Sequence, residues 1–153
     1  MLDGMLEEKN IVIKDHVESW QDAIRLGCQI LIDGGYVTAE YPEAILQATA
    51  KYGPYYVLAP QIAMPHASFE NGVITKQISL LILKDPISFS PTSYDVRLLF
   101  TLATTDKESH LSALMSLAGI FQDEGLIEKL LQARTSHEAF RILNSRGKEK
   151  EED

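Results

Sequence analysis

Few side chains in this chain of 153 residues can do chemistry near neutral pH: four histidines, His16, His66, His110 and His137, and a single cysteine, Cys28. A histidine with its ordinary pKa of ~6.5 can serve there as nucleophile, general base or ligand. His66 has the most constrained surroundings of the four. It follows a proline in Met64-Pro65-His66-Ala67. Pro65 fixes its own φ and biases Met64 toward an extended conformation. An imidazole on so stiff a connection can be held in one orientation. The residues alone leave two readings open, a satisfied structural histidine and a working nucleophile, base or ligand. His110 stands in Ser109-His110-Leu111, next to a predicted helix start. Free backbone N–H groups and the helix dipole favour an anion at such a place. There His110 either caps the helix or donates to a bound anion. His137 also falls near a helix start and reads as exposed. Cys28 falls on the apolar face of a predicted helix and reads as a small core residue, not a reactive thiol.

The elements that must position these residues follow from periodicity. Tyr55 to Ala59 reads as a strand closed by Pro60, and Ile78 to Leu83 as another, bounded by Lys76 and by Asp85-Pro86. Asn71-Gly72 supplies turn chemistry between them, so His66 lies on a connection between two strands. Ile11 to Ile13 is a short strand. Ser19 caps a helix that carries Trp20, Ala23, Ile24, Gly27, Cys28 and Leu31 at helical spacing and stops at Gly34-Gly35. A second helix runs from about Glu40 to Lys51, with Ile45, Ala48 and Tyr52 as its inner face, and ends at Gly53-Pro54. Pro86 to Pro91 reads as a connector with Phe89 buried. Val96, Leu98, Phe100 and Leu102 alternate as a strand, and Leu99 implies partial burial of its second face. After the polar loop 104–109, Leu111, Leu114, Met115, Ala118 and Phe121 form a stripe read as core. Asp123 to Gln132 is a short helix capped by Asp123 or Glu124. Ser136 caps the last helix, with Ala139, Phe140 and Leu143 inward. Interleaved strands and helices predict a single α/β domain, one sheet with helices on both faces. The domain is expected to span 1–146, followed by a charged tail, 147–153, with no apolar anchor.

Composition removes several function classes. The net charge is −8, with no basic block to follow nucleic-acid phosphates, so nucleic-acid binding and adsorption to anionic membranes are not expected. No apolar run approaches the ~20 residues of a membrane span. The first ten residues place Asp3, Glu7 and Glu8 before the first lysine, which does not read as a secretory signal, and the simplest placement is cytoplasmic. One cysteine rules out an internal disulfide and a four-thiolate zinc site. There is no Gly-x-x-x-x-Gly-Lys-Ser/Thr loop for a nucleotide and no His-Glu-x-x-His cluster. No cofactor and no metal are expected.

Gly53-Pro54-Tyr55, Ala59-Pro60 and Ile62-Ala63-Met64-Pro65-His66-Ala67 together resemble the active-site segment of enzyme IIA of the sugar phosphotransferase system. The likeness is to the mannitol–fructose superfamily, most closely its ascorbate-type branch, and runs from about Asn10 to about Asn144. It implies a mixed parallel and antiparallel sheet. It implies that His66 carries the phosphoryl group, and that His110, matching a second family histidine at a helix start, stabilises the phosphoryl oxygens. It implies a phosphoryl donor, the histidine-containing phosphocarrier protein. The acceptor would be a cognate enzyme IIB with a reactive cysteine, which links the chain only indirectly to a membrane enzyme IIC. One position departs from the pattern. Mannitol-type members carry an arginine where Ala50 stands, and the adjacent Lys51 offers a charge without the bidentate fork.

Two further readings compete with the phosphocarrier. A regulatory module of the same fold would report phosphorylation state to a protein partner, though no attached regulatory domain is evident. A metal hydrolase built on His66 and His110 lacks any ligand cluster of suitable spacing.

Overall fold

The computed structural model describes residues 2–152. Five strands form one sheet in the order β1-β4-β5-β3-β2. They are β1 (Ile11–Lys14), β2 (Val57–Ala59), β3 (Gln61–Ala63), β4 (Gln77–Ser88) and β5 (Asp95–Ala103). β1 runs parallel to β4 and β3 parallel to β5, while the β4–β5 and β2–β3 pairs are antiparallel. The helices are α1 (Trp20–Asp33), α2 (Glu40–Tyr52), α3 (Lys107–Phe121), α4 (Glu124–Leu131) and α5 (Ser136–Glu152).

Strand alternation sends each side of the sheet to its own core. Ile78, Leu80 and Ile82 of β4 join Leu98, Phe100 and Leu102 of β5 under α3, α4 and α5. Leu81, Leu83, Leu99 and Ala103 face the other way, against Ala23, Ile24, Cys28 and Leu31 of α1 and Tyr41 and Ile45 of α2. The domain is thus a sandwich with α1 and α2 on one face and α3 to α5 on the other. Leu99 is fully buried, not partly so, because both faces are covered. Val96 belongs with the α1–α2 side and not with Leu98, because β5 is irregular between them: one step on β3, Gln61 to Ile62, faces two on β5.

The helix ends follow local chemistry. The Ser19 hydroxyl accepts from Asp22 N at 3.2 Å and opens α1. Gly53, at φ +80°, closes α2 in a conformation that glycine adopts without steric cost. Asp123 caps α4 through Leu126 N. The side chains of the expected tail, 147–153, lie outside the described residues.

Four further expectations are corrected. The strand expected from Tyr55 begins at Val57, because Tyr55 and Tyr56 form a turn, and a second short strand, β3, follows at once in a tight hairpin through Pro60 and Gln61. β4 runs through Asp85-Pro86 to Ser88; the register shift between Ile82 and Ile87 brackets the proline, which cannot donate to a ladder. Tyr52 is 70% exposed, since α2 buries Tyr41, Pro42, Ile45 and Thr49 instead. On α3 the buried residues are Ala113, Leu117 and Ile120, leaving Leu111 and Met115 exposed at 59% and 69%. Leu114 and Phe121 do pack on the core. The stripe read from the sequence was therefore rotated about one residue from the buried one.

Candidate active site

Both candidate histidines leave the sheet at the same edge. β3 and β5 are parallel neighbours, so their C-terminal ends lie side by side. His66 follows β3 by three residues, and the chain after β5 turns into α3, which carries His110 in its first turn. The opening beyond the carboxyl ends of parallel strands is where an α/β sheet leaves room for a ligand. The two imidazoles lie with ring centroids 5.4 Å apart. They line one cleft of about 410 Å³ together with Tyr55, Ser68, Phe69, Thr104, Asp106 and Lys107.

The backbone around His66 is held at every residue from Met64 to Ala67. Met64 N donates to Tyr56 O at 2.9 Å, and Leu102 N donates to Pro65 O at 2.9 Å. The Tyr55 hydroxyl donates to His66 O at 2.5 Å. Ala67 N donates at 3.0 Å to the hydroxyl of Tyr41, which itself donates to Leu102 O at 2.5 Å. Tyr41 is fully buried, and that burial holds its hydroxyl well above the ordinary phenol range. It remains a neutral donor at any physiological pH.

The imidazole of His66 is oriented as firmly as its backbone. Its Nδ1 lies 2.8 Å from Met64 O. A carbonyl oxygen only accepts, so Nδ1 carries the proton, and in the neutral ring the lone pair sits on Nε2. The Tyr55 ring packs edge-on against the imidazole at 5.5 Å between centroids. The arrangement leaves one nucleophilic nitrogen, in one tautomer, in an open cleft.

His110 lies deeper in its helix than the sequence implied. Asp106 is the cap, its carboxylate accepting from Ser109 N at 2.7 Å, and α3 starts at Lys107. The backbone N–H of His110 is therefore already bonded to Asp106 O. What His110 offers the cleft is its ring. Nδ1 lies 3.3 Å from the Thr104 hydroxyl. Burial, and secondarily the neighbouring His66, lowers its basicity, so the ring is neutral at pH 7. Asp106 is itself held below the usual carboxylate range, chiefly by the Ser109 N–H.

The remaining candidates stand elsewhere. His16 pairs with Glu18 at 3.2 Å and His137 with Glu8 at 2.6 Å. Cys28 is buried with its thiol pushed up to about 12, which makes it inert. Lys51 does not line the cleft; its Nζ sits 5.1 Å from the centroid of the Tyr52 ring. Sequence reasoning missed Tyr41, Tyr55 and Lys107. Tyr55 had a signal in the Gly-Pro-Tyr word, whereas Tyr41 is separated from Ala67 by 26 residues and had none. Among the described residues no helix is long and apolar enough to cross a membrane, and no group of three or more His, Cys, Asp or Glu side chains is placed to hold a metal ion.

Two imidazoles thus converge at the strand ends of an α/β sandwich. The family described as "Phosphoenolpyruvate-dependent sugar phosphotransferase system, EIIA 2" matches residues 4–146. The "Ascorbate-specific PTS system EIIA component" of Shigella boydii is 35% identical over 144 residues, covering 93% of this chain and 94% of that protein. The Escherichia coli K12 protein of the same name is 34% identical over the same shares. Among solved structures, the mannitol-specific cryptic phosphotransferase enzyme IIA CmtB of Escherichia coli superposes with a TM-score of 0.86 at 32% identity, over 93% of this chain and 97% of that one. The mannitol enzyme IIA of Escherichia coli, solved in complex with phosphorylated enzyme IIB, gives 0.78 at 25% identity, over 92% and 99%. The chain belongs to the type 2 EIIA family and is a phosphotransferase component of a sugar phosphotransferase system.

Proposed function

We propose that His66 is the single phosphorylation site and that its Nε2 is the nucleophile. The observation that carries this is the 2.8 Å contact from Nδ1 to Met64 O, which leaves the lone pair on Nε2 in the cleft shared with His110. In the transfer, Nε2 attacks the phosphorus of a phosphohistidine on the histidine-containing phosphocarrier protein. A new P–N bond forms, the old one breaks, and its electron pair returns to the donor imidazole. The positive charge that builds on the His66 ring is met by Met64 O. No proton needs to move on this side. Such a transfer depends on in-line positioning and charge neutralisation more than on covalent machinery.

His110 stabilises the phosphoryl oxygens. When the Thr104 hydroxyl donates to its Nδ1, the Nε2–H of the neutral ring is the donor left for the cleft. The acceptor is a cognate enzyme IIB, a reading supported by the mannitol complex of IIA with phosphorylated IIB. In this proposal IIB in turn serves a membrane enzyme IIC. The names of the curated relatives support an ascorbate-type substrate, and a cytoplasmic setting is part of the same proposal.

The test is labelling with the phosphocarrier protein and its upstream kinase. Wild type gains one acid-labile, base-stable phosphate. His66→Gln keeps the size and polarity, folds, and gains none. Full labelling of that variant, or an acid-stable label on wild type, would sink the assignment.

A further inference from the structure

We propose that Lys107 is the cationic subsite for the phosphoryl group, taking the place of the arginine that Ala50 lacks. This rests on the reading of His66 as the phosphorylated residue. A phosphoryl group brings close to two negative charges at pH 7 into a protein whose net charge is already −8. A positive charge beside His66 would offset them beyond what the neutral His110 donor supplies, and the cleft offers few candidates. His110 lines it as a neutral ring, because burial depresses its basicity. Lys51, the candidate from sequence position, lies over the Tyr52 ring and outside the cleft.

Among the described residues, Lys107 is the one lysine or arginine that lines the cleft with His66 and His110. It opens α3 and precedes His110 by three residues, a spacing that places two side chains on one helical face. It is exposed and makes no ion pair among the described residues, so its ammonium is free to turn toward the cleft. The acidic neighbour, Asp106, stays ionised, but its carboxylate is committed to the Ser109 N–H as helix cap, feels Lys76 as well, and makes no ion pair with Lys107 among the described residues. An ammonium is a point charge with three donors on a flexible stem, suited to follow a phosphoryl group that arrives on one protein and leaves on another.

The test compares Lys107→Ala, Lys107→Arg and Lys51→Ala in the intact chain. Each protein is phosphorylated by the phosphocarrier protein and its kinase, and the phosphoryl group is followed by phosphorus NMR. All three variants should keep the wild-type thermal midpoint, because both lysines are exposed. Lys107→Ala should lower the equilibrium constant for phosphorylation about tenfold, the low end for losing a charged donor. It should also move the second ionisation of the bound phosphoryl group upward, which a purely structural role would not do. The titratable groups that line the cleft are Tyr55, His66, His110, Asp106 and Lys107, with Lys76 acting on Asp106, and only Lys107 is changed. Lys107→Arg should restore most of both effects, and Lys51→Ala should show neither. A wild-type equilibrium and ionisation in Lys107→Ala, or the loss appearing in Lys51→Ala instead, overturns the proposal. Full labelling of His66→Gln in the same experiment would overturn the reading of His66, and this proposal with it.

Discussion

Tyr41→Phe removes one oxygen atom from a fully buried side chain that reaches across 26 residues to the histidine loop. That hydroxyl accepts from Ala67 N and donates to Leu102 O, so the variant strands a backbone donor and deprives a buried acceptor of a partner. Leaving such a group unpaired costs ~1–3 kcal/mol. Ala67 is only half-buried, so water can recover part of its loss, and Leu102 O keeps a second lone pair. A sum of ~2 kcal/mol follows, which for a domain of this size lowers the thermal midpoint by about 4–8 °C. The functional loss should exceed what stability explains. Freed at Ala67, the loop lets His66 drift, and a displacement of ~1 Å at a reacting centre can cost up to ~100-fold. We expect transfer to IIB to slow about tenfold at a temperature where the variant is fully folded. Ser79→Ala is the control. It removes a buried hydroxyl bonded to Gly27 O at 2.8 Å and should destabilise while leaving transfer untouched. Urea titration and single-turnover transfer measure the two effects separately. Tyr41→Phe with a stability loss below ~0.5 kcal/mol would show that the strap bears no load. A stability loss with wild-type transfer would show that His66 does not depend on it.

Other outcomes follow from the same geometry. His110→Ala should still be labelled by the phosphocarrier yet pass phosphate to IIB about two orders of magnitude more slowly, a loss of ~3 kcal/mol from one donor; unchanged kinetics would reduce His110 to a helix residue. The depressed basicity of His110 also has a stability consequence, because the unfolded chain takes up a proton that the folded ring resists. This contribution is present above the unfolded pKa of ~6.5 and is lost as pH falls through the folded value, so His110→Gln should flatten the decline of the thermal midpoint on acidification. Leu111→Ser and Met115→Ser should each change stability by less than ~0.5 kcal/mol, whereas Leu117→Ala should cost ~2–5 kcal/mol; the reverse order in a denaturant series would restore the stripe read from sequence. Deleting Gly147 to Asp153 should leave the thermal midpoint nearly unchanged, which would support the expected domain boundary at Arg146, and a drop of many degrees would show that the segment packs on the core.

The α/β class was legible because helical and strand periodicities interleave along the chain, and because Ser19, Gly34 and Gly53 punctuate it by strong local rules. The short strand β3 was not legible, since its three residues owe their conformation to Leu98 and Leu99 on the neighbouring strand. Pro86 was read as a terminator because local rules weigh a proline without knowing that a register shift can absorb it. The face of α3 was misjudged for a related reason. Leu111, Leu114, Met115, Ala118 and Phe121 fit a helical stripe, but apolar residues occupy most of its circumference, and only the packed sheet selects which arc is covered.

The site divides along the same line. Sequence by itself singled out His66 as the candidate, because Pro65 and the words around it are contiguous and carry their meaning locally. It also offered His110 as a candidate partner, through the resemblance. Only the tertiary structure decided that the two rings meet 5.4 Å apart, since the parallel pairing of β3 with β5 is what brings residues 44 positions apart to one edge. It alone decided that Nε2 and not Nδ1 is free, because Met64 O fixes the tautomer. It moved the cationic candidate from Lys51 to Lys107, a choice that depends on where a helix begins relative to a cleft. Local sequence fixes the chemistry a residue can perform, while the direction in which its atoms point is set by hydrogen bonds from residues far away along the chain.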